Sequence, residues 1–273
     1  MVGYLGPVGT FSYMAAKEYY KGREAELKEY PSIYTLIKAV DNREIESAIV
    51  PAENSIDGSV NTTLDTIAFE SKVYICGEYV LKVSENLIAK KGTKKEEIKK
   101  IISHPQPIGQ CSKIINSQFP NVKIEYTEST AAAARIIAAG KDNSVAMIGP
   151  SACAQLYGLE IIEKNCGDEP NNCTRFIEIK KEQNTVFGNN DKSSFIISTD
   201  NNPGCLFRVV EAFAKNNVNM CKIESRPAKK KLGVYIFFID IDGNIAEENI
   251  KKALNKIKSE SNSTVFLGSY KKG

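Results

Sequence analysis

Four short stretches gather the hydroxyl, amide and glycine residues that suit a small, oxygen-rich ligand. In Gly6-Pro7-Val8-Gly9-Thr10-Phe11-Ser12, glycines let the backbone approach a ligand, and a helix opened by Thr10 or Ser12 would present unpaired N–H groups to an anion. Taken alone, the same residues are equally a capped strand-to-helix turn. They are not a phosphate-binding P-loop, because no Gly-Lys-Ser/Thr follows. In Pro51-Ala52-Glu53-Asn54-Ser55-Ile56-Asp57-Gly58-Ser59-Val60, Asn54 and Ser55 can hold a substrate oxygen and Gly58 permits a tight approach; an ordinary polar loop would look alike. Ser103-His104-Pro105-Gln106 contains the chain's one histidine. With no visible partner carboxylate, it is as readily a structural hydrogen-bonding residue as a general base. Asn171-Asn172-Cys173-Thr174-Arg175-Phe176 offers a hydroxyl that can donate to a leaving group and a guanidinium fork that matches a carboxylate.

Together these stretches imply a small anionic substrate and electrostatic rather than covalent catalysis. The single histidine has no acid placed to orient it, so no Ser-His-Asp triad is expected. With one histidine and no Cys-x-x-Cys, neither a metal site nor a cofactor is expected. The net charge is only +3, and the lysines between Lys90 and Lys100 are interrupted by Glu96 and Glu97. That reads as a solvated helix face, not a nucleic-acid surface. No apolar run approaches the ~20 residues of a bilayer span, and no secretory signal is expected from the first residues. Seven scattered cysteines suit free thiols in a cytoplasmic protein better than a disulfide framework.

The loops must be held by regular elements, and the chain supplies them twice. Strand Val2 to Leu5 leads into a helix near Thr10 or Ser12, then a strand around Leu27 to Tyr30, a helix from Ser32 to Val40, and a strand Ser47 to Val50 ending at Pro51. The order recurs as strand Lys100 to Ser103, a helix through Cys111 to Ser117, strand Val122 to Tyr126, helix Ser129 to Ala139 and strand Ser144 to Ile148. Pro105 follows Pro7 by 98 positions, Tyr126 follows Tyr30 by 96, and Ala146 follows Ala48 by 98. Alternation of this kind predicts α/β architecture in two lobes, each with a parallel sheet. Ligands bind beyond the carboxyl ends of such strands, so the loops after Leu5, Val50, Ser103 and Ile148 should face a cleft.

The polar run KKEQNTVFGNNDK (180 to 192) reads as a linker. Beyond it come strand Ser193 to Thr199, helix Leu206 to Lys215, strands Asn219 to Arg226 and Leu232 to Ile241 joined across Lys229-Lys230-Lys231, helix Ala246 to Ser259 and strand Thr264 to Leu267. This βαββαβ order predicts a ferredoxin-like antiparallel sheet with both helices on one face. Its open face and edge argue for pairing with another copy.

The segments GPVGTFS (6 to 12), PAENSIDGSV (51 to 60), SHPQPIGQC (103 to 111), STAAAA (129 to 134) and NNCTRF (171 to 176), in this order, resemble the prephenate dehydratase family. PGCL (203 to 206) and ESRP (224 to 227) resemble the phenylalanine-binding words of its ACT domain, with Cys205 where the family commonly has alanine. The resemblance spans nearly the whole chain. It implies a two-lobed catalytic domain like periplasmic binding proteins over 1–181, with lobes of roughly 1–75 plus 165–181 and 76–164, then a linker (182–192) and an ACT domain (193–273). The implied reaction converts prephenate to phenylpyruvate without a cofactor. By this resemblance Thr174 and Arg175 are catalytic, and Thr10, Ser12, Asn54, Ser55, Gly58, Thr130 and Phe176 bind substrate. Phenylalanine would be the allosteric inhibitor, held by Gly204, Cys205 and Leu206 of one chain and Glu224, Ser225, Arg226 and Pro227 of another, in a homo-oligomer (dimer or tetramer) joined through ACT domains. The alternatives are arogenate dehydratase, a two-lobed solute-binding protein, and a purely regulatory amino-acid sensor.

Overall fold

The structure, a computed structural model, describes residues 1–229 and 233–273. The join expected across Lys230 and Lys231, and Leu232 as a strand start, lie outside the described residues. Contacts divide the chain into two compact units, one of residues 1–36, 49–60 and 80–176, the other of residues 37–48, 61–79 and 177–273.

The repeat seen in the sequence is a repeat of topology. Strand β1 (Val2–Leu5) leads to helix α1 (Phe11–Tyr19), strand β2 (Leu27–Tyr30), helix α2 (Ile33–Asp41) and strand β3 (Ser47–Asn54). In the second half, β7 (Lys100–Ser103) leads to α4 (Pro105–Gln110) and α5 (Ser112–Gln118), then β8 (Lys123–Tyr126), α6 (Thr130–Ala139) and β9 (Val145–Gly149). The strands lie in the order β2-β1-β3 in one sheet and β8-β7-β9 in the other. β1 with β2, β7 with β8 and β7 with β9 are parallel. Capping sets the helix starts. Thr10 Oγ1 accepts from the Tyr13 N–H at 3.3 Å, and Ser129 Oγ accepts from the Ala132 N–H at 3.0 Å. Each hydroxyl satisfies one of the orphan donors at a helix N-terminus.

The sheets are wider than the repeat alone predicts. β5 (Tyr74–Lys82) and β11 (Cys173–Lys180) complete the first sheet in the order β2-β1-β3-β11-β5. β6 (Asn86–Ala89) and β10 (Glu160–Glu163), which follows α7 (Ser151–Tyr157), extend the second as β10-β6-β9-β7-β8. Both of these added strands run antiparallel to their neighbours, so this sheet is mixed rather than purely parallel. β3 does not stop at Pro51. Proline's fixed φ is compatible with an extended chain, and the strand continues to Asn54 and folds back as β4 (Gly58–Ser59), with Glu53 opposite Ser59.

The C-terminal elements follow the expected βαββαβ order: β12 (Asp191–Ser198), α8 (Cys205–Lys215), β13 (Met220–Pro227), β14 (Tyr235–Asp242), α9 (Glu248–Glu260) and β15 (Ser263–Lys271). They form an antiparallel sheet in the order β13-β14-β12-β15. Ile250, Ala253, Leu254 and Ile257 recur at helical spacing on α9 and pack with Val209 and Phe213 of α8 against Phe195, Ile197, Ile239 and Ile241. This is the helix-bearing face. The opposite face carries Ile196, Ile236 and Phe238, each buried within the single chain. Part of it is met by β5: a Cβ on Gly268 would stand 2.1 Å from the Ile75 carbonyl oxygen. The chain thus covers part of the face that the sequence assigned to a second copy.

In the same unit Lys192 Nζ donates to both carboxylate oxygens of Glu78 at 2.8 Å, with the two side chains 10% and 2% exposed. Removing one partner from a buried ion pair leaves an uncompensated charge. The Lys192→Met chain should therefore lose about 3–5 kcal/mol of stability in urea unfolding. The double change Lys192→Met with Glu78→Leu should recover most of it. A loss below about 1 kcal/mol in the single variant would show that the pair does not join β12 to β5.

Candidate functional site

The ends of β3 and β11 and the starts of α1, α4 and α6 surround a cavity of about 370 Å³, a size usual for small-ligand sites. Thr10, Ser12, Asn54, Thr130, Thr174 and Phe176 all line it. Ser12, Asn54 and Thr130 are buried. The first turns of α1 and α6 border the cavity through Phe11, Ser12, Ser129 and Thr130, so two helix N-termini, with their partial positive charge, adjoin it.

One hydrogen-bonded ring organises the site. Asn54 Nδ2 donates to Asn172 Oδ1 at 2.9 Å, Asn172 Nδ2 donates to Gln110 Oε1 at 2.9 Å, and Gln110 Nε2 donates to Asp57 Oδ2 at 2.8 Å. The Asp57 backbone N–H closes the ring on Asn54 Oδ1 at 3.1 Å. Every bond points the same way round, an arrangement in which each polarises the next. Gln106 Nε2 adds a second donor to Asp57 Oδ2 at 2.5 Å. From this ring the Asn54 amide also reaches Thr174 Oγ1 at 2.9 Å and the Cys173 carbonyl at 3.1 Å. Because the Thr174 oxygen accepts this bond, its own proton is left to donate elsewhere.

Three residues singled out in the sequence are not on the cavity wall. Ser55 Oγ accepts from the Cys173 N–H at 3.0 Å, and the Ser55 N–H donates to the Cys173 carbonyl at 2.9 Å. It fastens β3 to β11. Gly58 has φ +79 and turns the chain back into β4. Arg175 lies between Thr174 and Phe176 on a strand, and side chains alternate faces along a strand. It belongs to the other face, where its guanidinium stands 3.7 Å from Glu53 and its side chain is 14% exposed. Treating 171–176 as a loop concealed this alternation.

His104, left open between base and structural residue, is the N-cap of α4. Its Nδ1 accepts from the Gln106 N–H at 3.4 Å, which puts the proton of the neutral ring on Nε2. The sequence did not single out Glu85, which also lines the cavity. Burial pushes its carboxyl up to about 8. Nor did it single out Asp57, Gln110 and Asn172 as a set; they sat inside the quoted words, but nothing local pointed to one ring.

In the C-terminal unit Gly204 has φ +83 and precedes α8, a conformation that favours glycine. Cys205 is buried and its sulfur accepts from Arg208 Nη2 at 3.0 Å; Leu206 follows it on α8. Glu224, Ser225, Arg226 and Pro227 lie on edge strand β13, with β14 between them and β12. Arg226 donates to Asp65 Oδ1 at 3.0 Å and to Asn61 Oδ1 at 2.8 Å, both on helix α3 (Asn61–Asp65). Burial resists ionisation of Asp65, but its bonds to Arg226 and Lys229 outweigh that and hold it below the ordinary carboxylate range. Among the described residues no group of three or more His, Cys, Asp or Glu could hold a metal ion, and no helix is long and apolar enough to cross a membrane.

Comparison with known proteins matches residues 2–184 to the prephenate dehydratase family model and residues 193–259 to the ACT domain. A prephenate dehydratase of Methanocaldococcus jannaschii is 38% identical over 271 residues, covering 98% of this chain and 96% of that relative. A bifunctional chorismate mutase/prephenate dehydratase of Neisseria gonorrhoeae is 35% identical over 269 residues, covering 98% of this chain and 74% of the relative. Among solved structures, the prephenate dehydratase of Arthrobacter aurescens in complex with L-Phe superposes with a TM-score of 0.90 at 31% identity, covering 99% of this chain and 89% of that one.

The ring makes a prediction of its own. Asn54→Asp would set a second acceptor oxygen against Asn172 Oδ1, the Cys173 carbonyl and Thr174 Oγ1. The variant should lose about 1–3 kcal/mol of stability at neutral pH, and less in acid, where the new carboxyl regains a proton. An unchanged urea midpoint at pH 7 would show that the ring does not hold the site together.

Proposed function

The chain belongs to the prephenate dehydratase family and carries an ACT domain, and from that premise we propose that it converts prephenate to phenylpyruvate with loss of water and carbon dioxide. The observation that carries this reading is the Thr174 hydroxyl, oriented by Asn54 on the wall of a cavity flanked by two helix N-termini. In the reaction the ring carboxylate leaves as carbon dioxide, its bonding electrons pass into the ring, and the hydroxyl on the far ring carbon departs as water. Gain of aromaticity drives it. The protein's part is to hold the dianion, polarise the departing hydroxyl and keep the ring carboxylate poorly solvated.

Thr174 donates its hydrogen bond to the departing hydroxyl. Thr10, Ser12 and Thr130, with the N–H groups opening α1 and α6, take the pyruvyl end, and Phe176 bounds the ring. Asn54 orients Thr174 and, with Ser55 and Gly58, shapes the loop. We assign Arg175 with Glu53 to fastening β11 beside β3, not to the substrate, since a carboxylate clamp would have to reach round the strand. We divide the chain into a dehydratase part (1–181), a linker (182–192) and an ACT domain (193–273).

Phenylalanine is the feedback inhibitor in this reading. It binds between Gly204 to Leu206 of one copy and Glu224 to Pro227 of another, in a dimer or tetramer paired through ACT domains. Supporting this, β13 and β15 are sheet edges that leave Ile223 and Val265 exposed. Arg226, within the second effector word, is bonded to α3, which begins at the residue after Val60 and so continues directly from the substrate loop. Phenylalanine inhibits by binding the less active arrangement more tightly. The seven free thiols, five of them buried, suit a cytoplasmic setting.

Turnover of prephenate, read as phenylpyruvate absorbance in alkali with arogenate run beside it, tests the reaction. Thr174→Ala should cost about 2–4 kcal/mol of transition-state stabilisation, a fall in kcat of roughly 10² to 10³. Near-normal kcat would remove Thr174 from the mechanism. L-Phenylalanine should inhibit the full chain. Gly204→Ala, which strains the turn at φ +83, should raise the half-inhibitory concentration roughly tenfold or more, equivalent to about 1.4 kcal/mol of binding. Equal inhibition of both chains would place the effector elsewhere.

A further inference from the structure

Glu85 lies in the turn between β5 and β6. It is 3% exposed, and its Oε2 has no hydrogen-bond partner among the described residues. It lines both the 370 Å³ cavity that holds Thr174 and a smaller adjoining cavity of about 210 Å³. Burying a carboxylate without a partner is costly, so such a group keeps its proton. The thiols of Cys111 between α4 and α5, Cys153 on α7 and Cys166 after β10 are raised by burial first, with Glu85 adding to each. The larger cavity adds His104 and Glu128, and the smaller adds Lys82 and Glu169. Lys82, the one cation among the described residues lining either cavity, is exposed, and burial is the cause that lifts the Glu85 carboxyl to about 8.

We propose that Glu85 is the acid that gives the departing hydroxyl its proton. This rests on the prephenate reading and adds the group that reading lacks, since Thr174 orients the hydroxyl but is far too weak an acid to surrender a proton. The balance is one proton per turnover: prephenate dianion and a proton give phenylpyruvate monoanion, carbon dioxide and water. The bond to the ring carboxylate breaks and its electron pair enters the ring. The ring carbon–oxygen bond breaks with its pair going to oxygen, and that oxygen takes the Glu85 proton as it leaves. Glu85 is left as a carboxylate and is reprotonated from solvent before the next turnover. The two lone pairs of the hydroxyl are then both used, one by the Thr174 hydrogen bond and one by the incoming proton.

Glu85→Gln in the full chain keeps the size and a donor but has no proton to give. Its kcat on prephenate should fall roughly 10²- to 10⁴-fold with KM within about threefold, whereas loss of a binding contact would raise KM. Wild-type kcat should decline as pH rises through about 8, and the residual rate of the variant should lack that decline. Stability gives a second readout. Folded Glu85 keeps its proton from about 4.5 to about 8 while the unfolded chain has lost it, so the wild type should lose stability as pH rises through that window and the variant should lose less. A kcat within twofold of wild type with the same pH limb would overturn the proposal. If the variant does not fold, a wild-type kcat that stays level between roughly pH 7 and 9 overturns it equally. A wild type inert on prephenate would overturn the functional reading itself, a result distinct from an active wild type matched by its variant.

Discussion

A closed ring of hydrogen bonds through Asn54, Asn172, Gln110 and Asp57 fixes the direction in which the Thr174 proton can point. Asn54 is the only member that also touches Thr174, and it does so as a donor. Were the Asn54 amide reversed, its oxygen would face Asn172 Oδ1 and its amino group the Asp57 N–H, acceptor against acceptor and donor against donor, so the ring is self-consistent in one orientation. Gln110 stands 53 positions after Asp57, and Asn172 stands 118 after Asn54. The ring therefore stitches together three widely separated parts of the chain, and the threonine inherits its orientation from all of them.

The electrostatics of the cavity follow from what the ring leaves around it. No lysine or arginine is among the described residues that line it. A doubly charged substrate would be met by helix N-termini, hydroxyls and a neutral carboxyl. A cation held against the ring carboxylate would stabilise the charge that must disappear on decarboxylation, and so favour the ground state. Arg175 on the outer face of β11, engaged with Glu53, fits that requirement. In the proposed reading, the partial charges at the openings of α1 and α6 would meet the pyruvyl carboxylate, which survives the reaction.

Much of this was legible from residue types alone. The β2-β1-β3 and β8-β7-β9 triplets were readable because β1, β2, β7 and β8 are each followed by a capped helix, and the two halves repeat at a nearly constant offset. The βαββαβ unit was readable because α8 and α9 carry clear apolar faces. β5, β6 and β10 were not, since they stand outside the repeat and β6 runs against it. The side of the strand on which Arg175 sits was hidden by Pro170, Asn171 and Asn172, which make Cys173–Lys180 look like a loop at its start. The ring and the buried acid were hidden for a different reason: Asp57, Gln110, Asn172 and Glu85 are polar residues of no local distinction, and only the tertiary fold brings them to one place.

The account turns on whether the ring acts through Thr174, and a double-mutant cycle between Asn172 and Thr174 measures that most directly. Asn172 is buried and lies one bond removed from the threonine. If the ring orients the hydroxyl, Asn172→Ala should lower kcat on prephenate by about 1–2 kcal/mol when Thr174 is present and by almost nothing once Thr174 is alanine. Equal losses in the two backgrounds would contradict the account, leaving the ring as a structural brace with no hand in the chemistry.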